Sequence, residues 1–578
     1  MTRNLLRGPP LIGLAFLALL AARAWAAEAI PTPWILIDEL LYASLAESVA
    51  DGGRLAVRGE SIVVSVLYPL LIAPAWLADG METTYRLAKL ANVAAMSIVA
   101  VPVYLWACRL AGARGGVLAA GLTLLLPAFV YTGSLMTENL FLPLFVASTY
   151  ALARALEHPS LGSWLVVLGL VALAVATRLQ GLVLVPIVVT GAAVHAALEL
   201  TVNGRSPLRR LVPLLLWVGL PAAALAASAA VGSAPGLGGS PYEGVLASRD
   251  YEPGQVGRWA AYDAGALVLA SGVIPVLALL ALAARVATAP RTAMPGERAF
   301  VAVAVASACW LVALAALAST WDPVGIRERY LVHAAPLLLI ALVLWLARGL
   351  PRPGLPLTGG AAATVALLAA LPLRTIFGSG SFLGDGFSFI PFWRLARVLP
   401  GGVDTSKALL LAGALAAVVA AVGLPRRFAA PALPALVAAF LAATSAAVFA
   451  TARSQATGVA LASGQAERPT WIDDAAGHGR VVFLNTTRAE SRAWVPVWQA
   501  EFWNRSFSGV VNLGAEEPSP LPQREGRLLD AQGHVAGVVG PYVLVRAGSR
   551  VAGRLVAGSG DLRLYRVEPP VRLRSEMR

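Results

Sequence analysis

Residues 61–78 read SIVVSVLYPLLIAPAWLA, and the reading of this apolar stretch decides the side on which every later loop lies. Its length suits a transmembrane helix, which needs about 20 mostly apolar residues because the bilayer core offers no water to satisfy the backbone. Pro69, after Tyr68, and Pro74 interrupt it; each removes a backbone donor and clashes with the preceding turn. The stretch therefore reads as a re-entrant or interface-lying helix and not as a span. Around it lie thirteen candidate spans, near 10–27, 84–108, 114–131, 137–154, 161–177, 181–199, 211–230, 262–284, 299–319, 330–347, 358–374, 407–424 and 428–450. With the N-terminus inside, alternate loops hold Arg3 and Arg7, then Arg109 and Arg114, Arg154, and Arg205, Arg209 and Arg210. The series continues with Arg285, Arg291 and Arg298, with Arg348 and Arg352, and with Arg426 and Arg427. Every inside loop carries arginine, as the positive-inside bias requires. Counting residues 61–78 as a span would invert all later loops and destroy the pattern. The expected topology has a cytoplasmic N-terminus, a long first outer loop at 28–83, and residues 451–578 outside.

Composition agrees with this frame. Of 578 residues, 58% are hydrophobic and 13% charged, against about half and a quarter in an ordinary soluble domain. A soluble enzyme is excluded. The net charge of +13 comes almost wholly from arginine. Those arginines are dispersed over loops, so no nucleic-acid partner is expected. Cys108 and Cys309 sit in apolar runs and form no CxxC, disulfide framework or zinc motif. The membrane domain covers 1–450. Residues 451–578 turn polar and aromatic, with Trp471, Trp494, Trp498, Phe502 and Trp503. Strand-like runs at Arg480–Asn485, Gly509–Leu513, Pro541–Arg546 and Asp561–Val567, with a helical stretch at Val495–Arg505, suit one small α/β or mixed domain. Most of its tryptophans read as core, and the pairs Asp473-Asp474 and Glu516-Glu517 as surface.

Transporters place ionisable residues at the bilayer midplane. Here the span interiors are nearly free of charge, and charge collects at helix ends. Asp38 and Glu39 stand in WILIDELLY (34–42), Glu138 in MTENLF (136–141), Arg178 in ATRLQG (176–181), and Glu328, Arg329 and Tyr330 in IRERYL (326–331). In the arginine-derived topology all four clusters emerge on the outer face. A site there, at the lipid boundary, suits a lipid-linked substrate. Each residue also has a plainer reading: a solvated loop acid, an arginine reaching for the interface, an acid facing a helix dipole, or an aromatic-belt tyrosine. His333, one turn after Arg329, reads as a packed histidine.

In order and sidedness, these elements resemble the GT-C glycosyltransferases: the Asp-Glu pair, the Tyr-Pro return, the span-opening Thr-Glu-Asn, the Thr-Arg and the Glu-Arg-Tyr. The branch is that of protein O-mannosyltransferases and lipid A aminoarabinose transferases, over residues 10–350. The resemblance implies a polytopic all-α membrane protein of GT-C type with about 13 spans and a small C-terminal extracytoplasmic domain. It implies an inverting glycosyltransferase of a bacterial cytoplasmic membrane. Such an enzyme moves a sugar from a polyprenyl-phosphate donor to a hydroxyl of a cell-envelope glycan, lipid or protein acceptor. Inversion by hydroxyl attack needs a general base, and a phosphate leaving group suits arginine's planar fork. The resemblance therefore makes Asp38 the base, Arg178 and Arg329 the phosphate ligands, Glu138 and Glu328 orienting or sugar-binding acids, and Tyr330 a phosphate or sugar contact. Glu39 enters as the second acid of the catalytic pair, although neighbours on a helix point about 100° apart and cannot share a role. No cofactor is expected: no two of the five histidines stand at ligand spacing. The Asp38-Glu39 pair could hold a divalent ion, as in oligosaccharyltransferase relatives, but the branch that the chain resembles does without one. Two other functions fit the residues, a lipid or polysaccharide flippase or exporter, and a ligase taking a glycan from a lipid diphosphate.

Overall fold

A computed structural model describes the chain except residues 1–7, 63, 204–250, 321–324, 478, 488–489, 514–515, 530–532 and 574–578. The candidate span 211–230 and Arg3, Arg7, Arg205, Arg209 and Arg210 lie outside the described residues. The rest is a bundle of apolar helices ending in a domain that contains a sheet. The chain is a multi-pass membrane protein. Among the described residues, seven helical stretches are long and apolar enough to cross a membrane: Met81–Leu124, Glu138–Glu157, Leu179–Val202, Pro295–Ser319, Glu328–Ala347, Gly402–Gly423 and Arg426–Ser463. Arg23 of the first helix, Gly8–Glu28, donates to Ser445 Oγ at 3.0 Å and to the Leu124 carbonyl at 2.6 Å, joining the first helix to Arg426–Ser463 and to the end of Met81–Leu124.

The proline-interrupted stretch forms only two short, mostly buried turns, Leu67–Ile72 and Ala73–Leu77. The expected span 262–284 is not one straight helix. Its residues divide between Pro253–Ser271 and Ile274–Thr288, bent by 107°. The break lies at Gly272 (φ 86°) and Val273 (φ 66°), with Pro275 at the start of the second helix. A left-handed glycine ends a helix and a proline opens the next, so Ser-Gly-Val-Ile-Pro outweighs the apolar run around it. Likewise 358–374 divides between Gly354–Ala370 and Leu373–Ser379, bent by 46°. The expected span 114–131 ends at Leu124, and Pro127–Gly133 continues as 3-10 turns.

Helix Arg426–Ser463 runs unbroken through residue 451 into the C-terminal domain. There a six-stranded sheet runs in the order 524–525, 507–512, 481–485, 542–546, 562–566, 554–559. Strands Val481–Asn485 and Phe507–Asn512 are parallel and joined by helix Ser491–Trp503, the crossover that parallel pairing requires. Trp471, Trp494, Trp498 and Trp503 are buried. They share one apolar core with Tyr42, Leu45, Trp76 and Tyr85 of the first loop and the helix after it. Loop and domain are also tied by Arg58, which pairs at 2.6 Å with both Glu501 and Glu517. Glu517 is thus not a surface acid: it is buried and also accepts from Trp498 Nε1 at 2.7 Å. Asp473 accepts the backbone N–H groups of Arg505 and Ser506, both at 2.9 Å.

Candidate active site

Helix Leu36–Gly52 begins where the Glu39 carboxylate collects four donors. It accepts the N–H groups of Trp34 (2.9 Å) and Ile35 (3.0 Å), which satisfy part of the helix start, together with Leu135 N–H (3.0 Å) and the Tyr85 hydroxyl (3.3 Å). Burial pushes this carboxyl up to about 7, against the downward pull of those hydrogen bonds. Glu39 is therefore a buried clamp between the loop entry and residue 135, and it orients the helix so that its neighbour faces elsewhere.

That neighbour, Asp38, meets the Arg329 guanidinium at 3.1 Å. Arg329 also lies 3.2 Å from the Asp385 carboxylate, and its backbone N–H donates to the Asp385 carbonyl at 3.1 Å. Arg327 pairs with the same Asp385. On the other side Glu138, the first residue of Glu138–Glu157, pairs with Arg178, the residue that ends Leu161–Thr177. Tyr330 connects the halves: its ring centre lies 5.4 Å from the guanidinium carbons of both Arg178 and Arg329, within cation–π range. Three carboxylates (Asp38, Glu138, Asp385) thus face three guanidiniums (Arg178, Arg327, Arg329). Exposure is graded. The Glu138 side chain is 1% exposed and that of Arg178 9%, but that of Asp38 is 38% exposed, which makes it the most accessible of the three acids.

The cluster is built from helix ends, at the end of the bundle that carries the C-terminal domain. Asp38, Glu138, Arg178, Arg329 and Tyr330 come together as their sequence order suggested. Glu39 and Glu328 do not join them. Glu328 is buried and accepts from the Ser388 N–H (2.9 Å) and Oγ (2.7 Å). It fastens segment 384–388, while its neighbours Arg327 and Arg329 hold Asp385 of the same segment; Tyr131 donates to the Gly384 carbonyl at 3.1 Å. Asp385 and Arg327 are the residues that sequence reasoning missed. Arg327 lies inside the quoted IRERYL, and Asp385 is the acid between two glycines in an expected outer loop, the signal that was there to be used. His333 is packed edge-on against Phe141, ring centres 4.7 Å apart, with Nδ1 3.1 Å from the Tyr330 carbonyl. Among the described residues no three His, Cys, Asp or Glu side chains gather to hold a metal ion, and Glu39's four hydrogen bonds turn it away from Asp38.

The model of the family described as dolichyl-phosphate-mannose-protein mannosyltransferase matches residues 80–225, the part that supplies Glu138 and Arg178. No curated protein matches the chain in sequence. Among solved structures, ArnT from Cupriavidus metallidurans bound to undecaprenyl phosphate is similar at TM-score 0.53 and 13% identity, over 96% of this chain and 97% of that one. ArnT from the same organism in the apo state gives TM-score 0.52 at 13% identity with the same coverage. Over 96% of its length the chain shares the fold of these ArnT structures.

Proposed function

We propose that this protein is an inverting glycosyltransferase that takes a sugar from a polyprenyl-phosphate carrier and passes it to a hydroxyl of a cell-envelope acceptor on the outer face of a bacterial cytoplasmic membrane. The observation that carries the reading is the partly exposed Asp38 beside paired arginines, where several helix ends meet. In this reading Asp38 takes the proton of the acceptor hydroxyl as that oxygen attacks the anomeric carbon. The bond to the phosphate oxygen breaks, and the lipid phosphate leaves with the electron pair. Arg178 and Arg329 receive that charge through fork-shaped donors. Glu138 orients Arg178, Asp385 orients Arg329, and Tyr330 keeps the two guanidiniums together. Glu39 and Glu328 act at one remove, by fixing the backbones that carry Asp38 and Asp385. The likeness to ArnT supports the carrier class through fold alone.

The test is incubation of the purified protein in lipid nanodiscs with polyprenyl-monophosphate sugars, reading protein-dependent loss of the donor. Turnover of lipid-diphosphate glycans alone would make it a ligase. Movement of a lipid-linked glycan across the bilayer without bond cleavage would make it a flippase.

A further inference from the structure

Away from the charged cluster, a cavity of about 580 Å³ opens between helix Leu36–Gly52, the hairpin that follows it and strand Phe507–Asn512 of the C-terminal sheet. Its size falls in the range of about 300–1,000 Å³ usual for ligand sites. One wall is a single face of the helix, with Ser44, Glu47 and Ser48 at the three- and four-residue spacing that brings side chains together. The opposite wall presents the half-buried ring of Phe507 beside Ser508, and Arg480 stands exposed at the rim. Arg58 and Glu501 also line it; Arg58 is already paired at 2.6 Å with both Glu501 and Glu517, so it is not an uncompensated cation there. Glu47 is different. Among the described residues it has no hydrogen-bond partner. Burial and the nearby carboxylates of Asp51, Asp473 and Glu501 push its carboxyl up to about 7, against the Arg505 charge. Near neutral pH it can both donate and accept.

The lining is more polar than apolar, which disfavours an acyl chain, and among the described residues a metal ion finds no ligand cluster. A polyol finds what it needs: hydroxyls and a carboxyl that donate and accept, a guanidinium that donates, and an aromatic face for the C–H side of a ring. Glu47 follows Asp38 by nine residues, which on a helix is about 13 Å along the axis and half a turn around it. The cavity is therefore separate from the charged cluster. We propose that it is a saccharide-binding site, in which the first loop and the C-terminal domain together hold a remote part of a glycan acceptor. The identification of the ligand as the acceptor rests on the glycosyl-transfer reading; the saccharide site itself does not.

The experiment uses the full chain in nanodiscs on an array of α- and β-linked hexose hexasaccharides, with a library of Ser- and Thr-containing peptides alongside. Wild type should retain hexasaccharides, and Glu47→Ala and Arg480→Ala should each weaken retention at least about tenfold, the scale of a lost charged hydrogen bond. Both variants should keep wild-type melting and wild-type binding of undecaprenyl phosphate. Absence of saccharide retention by wild type, equal retention by both variants, or retention of peptides alone would overturn the proposal. Failure of wild type to bind undecaprenyl phosphate would instead count against the transfer reading, and would leave a saccharide result standing.

Discussion

Replacing Asp38 with Asn should slow sugar transfer and yet tighten binding of the carrier phosphate. Asp38 holds Arg329 at 3.1 Å, and Arg329 is one of the two arginines proposed for that phosphate. In the proposed reading the carrier phosphate competes with Asp38 for the Nη1 donor of Arg329. The Asp38 side chain is 38% exposed and that of Arg329 18%, so the pair belongs near the upper end of solvent-screened pairs, about 1 kcal/mol. A neutral amide in place of the carboxylate would remove that competing contact and the repulsion between carboxylate and phosphate. The expected gain is roughly fivefold in affinity, since 1.4 kcal/mol is tenfold. Transfer should fall by about 100-fold or more, the range general-base catalysis supplies. Titration of undecaprenyl phosphate into the full-length protein in nanodiscs measures the first effect, and initial rates with a saturating donor measure the second. If Asp38→Asn binds undecaprenyl phosphate more weakly than wild type, Asp38 supports the phosphate site and does not compete for it. A wild-type transfer rate in that variant would refute its role as base.

Arg178→Lys and Arg329→Lys should each impair transfer by roughly ten- to a hundredfold, because a point charge cannot reproduce a fork whose charged hydrogen bonds are worth about 1.5–3 kcal/mol each; wild-type kinetics in both would return these arginines to an interface role. Asp385→Asn should raise the KM for donor more than it lowers kcat, since Asp385 positions Arg327 and Arg329 without meeting the acceptor; a kcat effect as large as that of Asp38→Asn would make it the base. Glu39→Gln should change the pH dependence of stability. With its folded-state carboxyl at about 7 against an ordinary 4.5, native Glu39 binds more protons than the unfolded chain between those values, so wild type loses stability as pH rises through that window. The variant should be flatter there in thermal melts, and an unchanged slope would assign the ionised form to the buried clamp.

Much of the site is legible in the amino-acid sequence because charge is scarce in the chain. Where span interiors hold almost no ionisable groups, those that remain are confined to helix ends, and alternating arginine loops assign the ends to sides. That logic brings Asp38, Glu138, Arg178, Arg329 and Tyr330 to one place. Four of the six strands of the C-terminal sheet are legible for another reason, since runs such as Val481–Asn485 and Tyr542–Arg546 are short, apolar and bounded by turn residues, whereas 524–525 and Arg554–Ser559 are not among the expected runs. What escapes such reading is non-local or decided by one residue. Asp385 finds Arg327 across 58 positions, and Glu517 finds Arg58 across 459; no periodicity links them. The separation of Asp38 from Glu39 follows from helix geometry, but the choice of which acid turns inward depends on the donors of Trp34, Ile35, Tyr85 and Leu135. The bend after Ser271 is hidden by averaging, because one Gly and one Pro in a long apolar window barely change its mean.

The charge balance of the site also argues for an order of events. Three acids already neutralise three arginines, so the cluster has no spare cation with which to attract a phosphate at long range. In the proposed reading, a carrier phosphate that takes up one of these paired donors exchanges with an existing partner. Glu138 is almost wholly buried with Arg178, and Asp385 is shared between two arginines; Asp38 is the partner that a single contact holds and water already reaches. Exchange at Arg329 therefore costs least, and it frees a carboxylate at the moment when a donor is in place. A base uncovered by donor binding suits an enzyme whose donor must not be lost to water before an acceptor arrives. The opposite shifts expected of Asp38→Asn, tighter phosphate binding with slower transfer, are the measurable form of that exchange.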